Sequence, residues 1–332
     1  MEHIKEKKSN VACLIMQVTL SEDAVDLQIS GHGGVINVSR YDDLADNTIS
    51  SIKKFHPEID LHYVTDENIN DYIRLYFKEF EWLNALGINR YALAYELMKQ
   101  YEYEKIIILG CDTIVCSKLD EFMDNNQDDV LATLNYPIQE ETEYWKTPII
   151  EVETPQGKVF EHLNINADVA CFNNVEALKK VVELSIEHFT LFSEQGGLNE
   201  LAHVDKSFNV KIVDSPYCMS DVSYNVRAKG VPRCDMIENG LVVNCHLHGF
   251  SPEFNGKPSP TKYWYVKDDK LFTHDHKQIK VFHFIEGLSG RTEEKFNQLM
   301  DDFRYNWFNE ETLKFFREVC GCTRFFKDKN NG

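Results

Sequence analysis

KIIILGCDTIVCSKLDEF, residues 105–122, opens on four consecutive apolar residues, Ile106 to Leu109, followed by a glycine and a single carboxylate, Asp112. An apolar run with no alternation predicts a central strand covered on both faces. Ile114 and Val115 form a second apolar pair, and LDEF reads as an acidic helix start. In open α/β sheets, ligands sit outside the carboxyl ends of such strands. Asp112 therefore stands where chemistry is expected.

Outward from this strand the pattern alternates. Strands are predicted at Val11–Gln17, Val35–Val38 and Ile59–Val64, and a helix at Asp42–Phe55 that ends before Pro57. Two helices fill residues 67–103, the second over Arg90–Tyr101. Further strands are predicted at Val130–Leu134, Val169–Phe172 and Val210–Val213, a strand or approach loop at Lys158–Leu163, and a helix over Val175–Phe192. This alternation to residue 215 or so predicts an α/β fold built on a mainly parallel sheet flanked by helices. Residues 216–280 are richer in Pro, Gly and aromatic residues, with short strands at Leu241–Cys245 and Tyr263–Val266. Glu293–Phe326 reads as amphipathic helix with many phenylalanines, expected to pack on the core or to build a homodimer.

The chain has 332 residues, 43% of them hydrophobic, enough for one large globular domain with an appendage. Its formal charge is −19, which argues against a nucleic-acid binder with a basic face. The KEKK run at Lys5 to Lys8 reads as a solvated terminus. An anionic substrate would need local help from a metal or from a few placed Arg and Lys residues. The nine cysteines contain no CxxC pair and favour a reducing, cytoplasmic setting. Cys320-Gly-Cys322 reads as incidental surface cysteines sooner than as a thiol pair. No apolar run approaches the ~20 residues of a membrane span.

His283 lies in the apolar stretch VFHF. A carboxylate plus an imidazole, with positions left open for phosphate oxygens, suits a divalent cation. The competing readings are a turn-forming or helix-capping aspartate and a satisfied core histidine. His246 and His248, and His274 and His276, lie in HxH pairs, but no Cys or acidic partner is spaced to complete a zinc set.

Four stretches occur in a telling order: LGCDTIVCSKLDEF (109–122), NINADVACFNN (164–174), EQGGLN (194–199) and VFHFIEG (281–287). Together they resemble the GT-A glycosyltransferases, most closely the retaining family 8 group of glycogenin-like and bacterial hexosyltransferases, over about residues 35–290. The corresponding patterns there are of the types LDADTIV, FNSGVLLIN and DQDILN. The resemblance implies a Rossmann-like catalytic domain over residues 1–290, with a nucleotide-binding half at 11–135 and an acceptor half at 136–290, and a C-terminal helical extension at 291–332. It implies Mn²⁺ or Mg²⁺ held by Asp112 and His283. Asn166, Ala167 and Asp168 would face the donor sugar, with Asp168 and Gln195 at the reacting face. Arg90 and Cys111 would also serve the donor, Tyr41 would stack on its base, and Asp66 would lie near it. The implied donor is a nucleotide sugar, a UDP-hexose, and the acceptor an unknown glycan, lipid or protein, with retention at the anomeric carbon. One departure stands out. The first aspartate of the DxD pattern is Gly110 here. That loss motivates a rival reading, a sugar-nucleotide-binding protein without transfer. A sugar-phosphate nucleotidyltransferase would need a Lys in the phosphate loop, and GHGGVINVSR has none in the expected place. A ligand-free interaction module is the remaining rival.

Overall fold

A computed structural model describes residues 7–18, 39–134, 149–154, 157–162, 164–187, 193–213, 242–248, 264–273, 276–285 and 308–323. In chain order the first half runs β1 (Val11–Gln17), α1 (Ser39–Phe55), β2 (Asp60–Thr65), α2 (Ile69–Tyr76), α3 (Leu86–Tyr101), β3 (Lys105–Leu109), β4 (Thr113–Val115), α4 (Asp120–Met123) and β5 (Val130–Leu134). The second half runs β6 (Ile149–Thr154), β7 (Gly157–His162), β8 (Ile165–Phe172), α5 (Val175–Glu187), α6 (Ser193–Glu200), β9 (Val210–Ile212), β10 (Val242–His248), β11 (Trp264–Lys267), β12 (Lys270–Thr273), β13 (Ile279–Ile285) and α7 (Glu310–Lys314).

Six strands form the main sheet in the order β2-β1-β3-β8-β5-β9. The pairs β1–β2, β1–β3 and β5–β9 are parallel, while β8 runs antiparallel to both its neighbours. Five strands thus share one direction, as the alternating pattern predicts. A second sheet, β10-β13-β4, stands beside it. β4, which follows directly on the Gly110–Asp112 loop, pairs antiparallel with β13. Two hairpins, β6–β7 and β11–β12, complete the strands described.

β3 is buried from both sides. Ile106, Ile107, Ile108 and Leu109 have no exposed surface. Side chains alternate across a strand, so Ile106 and Ile108 pack with Leu14, Tyr91, Leu93 and Phe172 on the α3 face. Ile107 and Leu109 pack with Ile15, Ile52, Phe122 and Val281 on the other. α3 is itself buried without a break from Gly87 to Met98, and it ends where Glu102 turns left-handed at φ 52°.

Several boundaries differ from the expectation. α1 starts at Ser39, so Ser39, Arg40 and Tyr41 open a helix and do not lie in a post-strand loop. β8 starts at Ile165, so Asn166, Ala167 and Asp168 belong to the strand. EQGGLN is helical, within α6. Cys320 and Cys322 are wholly buried, not on the surface. The Val35–Val38 strand and most of the Glu293–Phe326 helix lie outside the described residues. Where the C-terminal part is described, α7 continues into a wide helical turn, Phe315–Val319. There Phe308 and Phe316 pack on Phe282, with Phe308 also against Trp264, at ring-centroid distances of 5.6–5.7 Å. Among the described residues no helix is long and apolar enough to cross a membrane.

Candidate functional site

The loop after β3 is fixed from behind. Thr113 Oγ1 donates to the Gly110 carbonyl at 2.9 Å. Thr48 on α1 donates to the Thr113 carbonyl at 2.6 Å and lies 3.0 Å from the Cys111 carbonyl. These bonds satisfy the backbone of a buried turn, where an unpaired carbonyl would be costly. In the β4–β13 register His283 stands opposite Thr113. The pairing therefore delivers the imidazole beside the loop, and His283 Nε2 lies 3.2 Å from Asp112 Oδ1.

Asp168 arrives from the other side. Leu109 pairs with Val169 across β3 and β8, and the Gly110 N–H donates to the Asp168 carbonyl at 2.7 Å. The β5–β8 register jumps from Ala132–Ala170 to Thr133–Asn166, so residues 167–169 bulge out of the ladder. Such irregularities re-aim side chains next to sites. Asn166 Oδ1 accepts the Asp168 N–H at 3.0 Å and Thr133 Oγ1 donates to the Val169 carbonyl at 2.8 Å, which fixes the bulge. Asp168 Oδ2 lies 3.8 Å from His283 Nε2.

Arg90 on α3 ties these parts together from below. Its guanidinium meets Asp168 Oδ1 at 2.6 Å and Glu194 Oε1 at 2.8 Å. Tyr91 donates its hydroxyl to the Ala167 carbonyl at 2.9 Å. Glu194 reaches Arg90 because α6 is docked on β8: Asn199 accepts the Ile165 N–H at 2.9 Å and donates to the Gln195 carbonyl at 2.8 Å. Gly87 clears the space, for a Cβ there would fall on the Glu194 carboxylate.

The electrostatics follow from this packing. Burial works against the Arg90 charge, but Asp168 and Glu194 outweigh it and raise the guanidinium pKa. Burial also penalises the Asp168 charge, yet Arg90 and then His283 hold its carboxyl below the usual range. His283 loses charge stability to burial and regains more from Asp112, which also bonds it, and from Asp168, so its pKa is raised. Burial, Asp112 and Asp168 push the Cys111 thiol well up, away from the reactive thiolate. Asp168 and Glu194 face the Arg90 guanidinium and Asp112 faces His283, so the cluster carries two net negative charges when His283 is neutral. Asp112 and Asp168 form the open side, at 19% and 35% exposure, while the His283 side chain behind them is 1% exposed.

Carboxylate and imidazole are ligand types that a divalent cation accepts. Ligand atoms ~2.1 Å from an octahedral ion lie ~3.0 Å apart at right angles and ~4.2 Å apart across it. The two separations from His283 Nε2, 3.2 and 3.8 Å, fall inside those limits. Among the described residues no three such side chains already form a ready metal cluster. What stands there is the Asp112–His283 pair, with Asp168 beside it.

The remaining sequence candidates are placed as follows. Asn166 and Ala167 are buried and shape the bulge. Gln195 is half-buried on α6, one residue from Glu194. Asp66 is exposed in the turn after β2, at the carboxyl edge of the sheet and two strands from β3. The Tyr41 side chain lies outside the described residues, as do those of His246, His248 and His274. His276 is exposed, and its Nδ1 lies 2.7 Å from the Tyr265 hydroxyl. Glu194 and Tyr91 are parts of the constellation that sequence reading did not select. A glycine one turn before Arg90 was the available signal for a close approach there.

The sequence matches no protein-family profile and no curated protein. Similarity to solved structures is distant. A glycosyltransferase associated with the major capsid of PBCV-1 aligns at 12% identity and TM-score 0.41, over 87% of this chain and 98% of that one. The galactosyltransferase LgtC, solved with donor and acceptor sugar analogs, aligns at 11% and 0.38, over 87% and 94%. The glycosyltransferase GlyE of Streptococcus pneumoniae TIGR4 aligns at 12% and 0.37, over 67% of this chain and 50% of that one, so the chain spans half of that protein's length. At such values the likeness carries nothing about substrate or chemistry.

Proposed function

We propose that the protein is a glycosyltransferase of GT-A type that moves a hexose from a nucleotide-diphosphate sugar, UDP-linked, to a glycan, lipid or protein acceptor in the cytoplasm. One observation carries the reading. A carboxylate and an imidazole from two different sheets, a second carboxylate and a buried arginine converge at the carboxyl end of β3. The open side of this cluster is acidic, so a diphosphate would be repelled unless a cation lay between. Asp112 and His283 would hold Mn²⁺ or Mg²⁺, which offsets the charge that develops on the leaving diphosphate.

The chain's own groups do the rest by placement. Arg90 fixes Asp168, so a sugar hydroxyl would meet a carboxylate of set orientation. Gln195 lines the reacting face on α6. The configuration is retained: the anomeric carbon–phosphate oxygen bond breaks, the bond to the acceptor oxygen forms on the same face, and the acceptor proton passes to the departing phosphate.

A thermal-shift panel of nucleoside diphosphates and sugar nucleotides, with and without Mn²⁺, tests this. A UDP or UDP-sugar shift that requires Mn²⁺ is expected; at a hundredfold excess over Kd it corresponds to about 2.7 kcal/mol. Asp112→Asn should keep the fold and lose metal-dependent donor hydrolysis, since one preorganised electrostatic group supplies about 3 kcal/mol in such sites. Unchanged hydrolysis in that variant rejects the assignment. A metal-dependent UDP shift with no turnover on any acceptor would support the binding-only alternative that Gly110 raises.

A further inference from the structure

We propose that Asp168 is the second carboxylate of the cation centre, supplied from β8 in place of the side chain that Gly110 lacks. The inference rests on the cation reading above and deepens it.

Gly110 and Asp168 face each other across the β3–β8 pair, joined by the 2.7 Å bond from the Gly110 N–H to the Asp168 carbonyl. A Cβ at position 110 would lie 2.8 Å from Asp112 Oδ1, 3.1 Å from Asp168 Cβ and 3.4 Å from Asp168 Cγ. A side chain at 110 would therefore press first on Asp112 Oδ1 and then on the Asp168 side chain beside it, so a carboxylate there would crowd both. The sequence carries the same exchange. Aligned with the DAD and FNSGV patterns, this chain has Gly where the first has Asp and Asp where the second has Gly. The bulge at residues 167–169 turns Asp168 toward the loop. Arg90 takes Oδ1 at 2.6 Å, and Oδ2 is the oxygen on the His283 side at 3.8 Å. A carboxylate held by one oxygen and offering the other is an oriented ligand, and such orientation governs metal affinity.

Mn²⁺ titrations by calorimetry and by electron paramagnetic resonance, without nucleotide, test the exchange in four proteins: wild type, Asp168→Gly, Gly110→Asp, and the double variant. Asp168→Gly should bind Mn²⁺ about 10–100-fold more weakly. Gly110→Asp alone should not tighten binding and should lower the melting temperature, because the new side chain presses on both Asp112 and Asp168. The double variant, which removes the Asp168 contact and keeps that with Asp112, should recover affinity and part of the melting temperature. Asp168→Asn, which keeps the volume, should match Asp168→Gly in affinity and so separates lost ligation from lost folding. Wild-type affinity in Asp168→Asn, tighter binding in Gly110→Asp alone, or no Mn²⁺ binding by the wild type would each overturn the inference. Its failure is distinct from failure of the transferase reading. A Mn²⁺-dependent UDP shift together with an unchanged Asp168→Asn sinks this inference only. The expected exchange with no response to any nucleotide sinks the transferase and leaves the cation centre.

Discussion

His283 is held between two carboxylates with almost no solvent, 3.2 Å from Asp112 and 3.8 Å from Asp168. Its raised pKa has a consequence for the metal-free protein. The charged imidazole is stabilised in the folded state relative to the unfolded one, where the pKa is about 6.5. That contribution is fully present below pH ~6.5 and is lost as pH rises through the folded value. Melting temperature of the metal-free protein should therefore decline through this window, and the decline should vanish in His283→Gln. Mn²⁺ affinity should move the opposite way and rise with pH, since the proton must leave before the metal binds. A Mn²⁺ affinity that falls with rising pH over that window would refute the pairing. Asp112 was legible in the sequence because it follows an apolar run whose end can be placed by pattern, and His283 and Arg90 were reached through the family resemblance. The approach of Asp168 to Gly110 was not legible, since it depends on two strands distant in the chain lying side by side. Glu194 escaped notice for the same reason: only the docking of one helix on a strand brings it to Arg90.

At the scale of elements, α3 and α6 are locked by a glycine and a salt bridge. Gly87 leaves the volume that the Glu194 carboxylate fills. Gly87→Ala, though it raises intrinsic helix propensity, should drive Glu194 off Arg90 and cost about 1–3 kcal/mol through overpacking. In a Glu194→Ala background the same change should cost much less, and this non-additivity is read from denaturant melts of the two single variants and the double. Equal costs in both backgrounds would mean that the glycine serves something else. The elements themselves were readable. β1, β3 and β5 fall where apolar runs predict them, and the strand–helix alternation predicts the mainly parallel sheet. The start of β8 was misjudged because Asn and Asp are turn formers by local preference. Hydrogen bonds from Thr133 and Tyr91 to the bulge override that preference, and they come from other elements. EQGGLN was assigned no element in the sequence, since two glycines weaken a helix intrinsically. One of them, Gly197, instead lets α6 sit directly against Val181 and Ser185 of α5.

Across the whole molecule, a formal charge of −19 surrounds a site with an acidic open side. Under the proposed function a nucleotide diphosphate would approach against this field. The Debye length falls from about 30 Å at 0.01 M salt to about 8 Å at 0.15 M. The association rate of UDP, followed by stopped flow at fixed Mn²⁺, should therefore increase with ionic strength over that range, the reverse of an electrostatically steered encounter. A rate that drops with salt would point to a local basic path that the net charge conceals.

The β4–β13 pairing also sets an order of assembly. β4 follows directly on the Asp112 loop, while its partner strand comes late in the chain and leans, through Phe282, on the still later Phe308 and Phe316. Contacts of such long sequence separation form slowly, after local structure has gathered. During synthesis, domains take shape from the N-terminal side first. A nascent chain that has made the first five strands already presents Asp112, yet it has no imidazole to set against it. Under the proposed function, capture of an ion by this pair would be postponed until the chain is nearly finished.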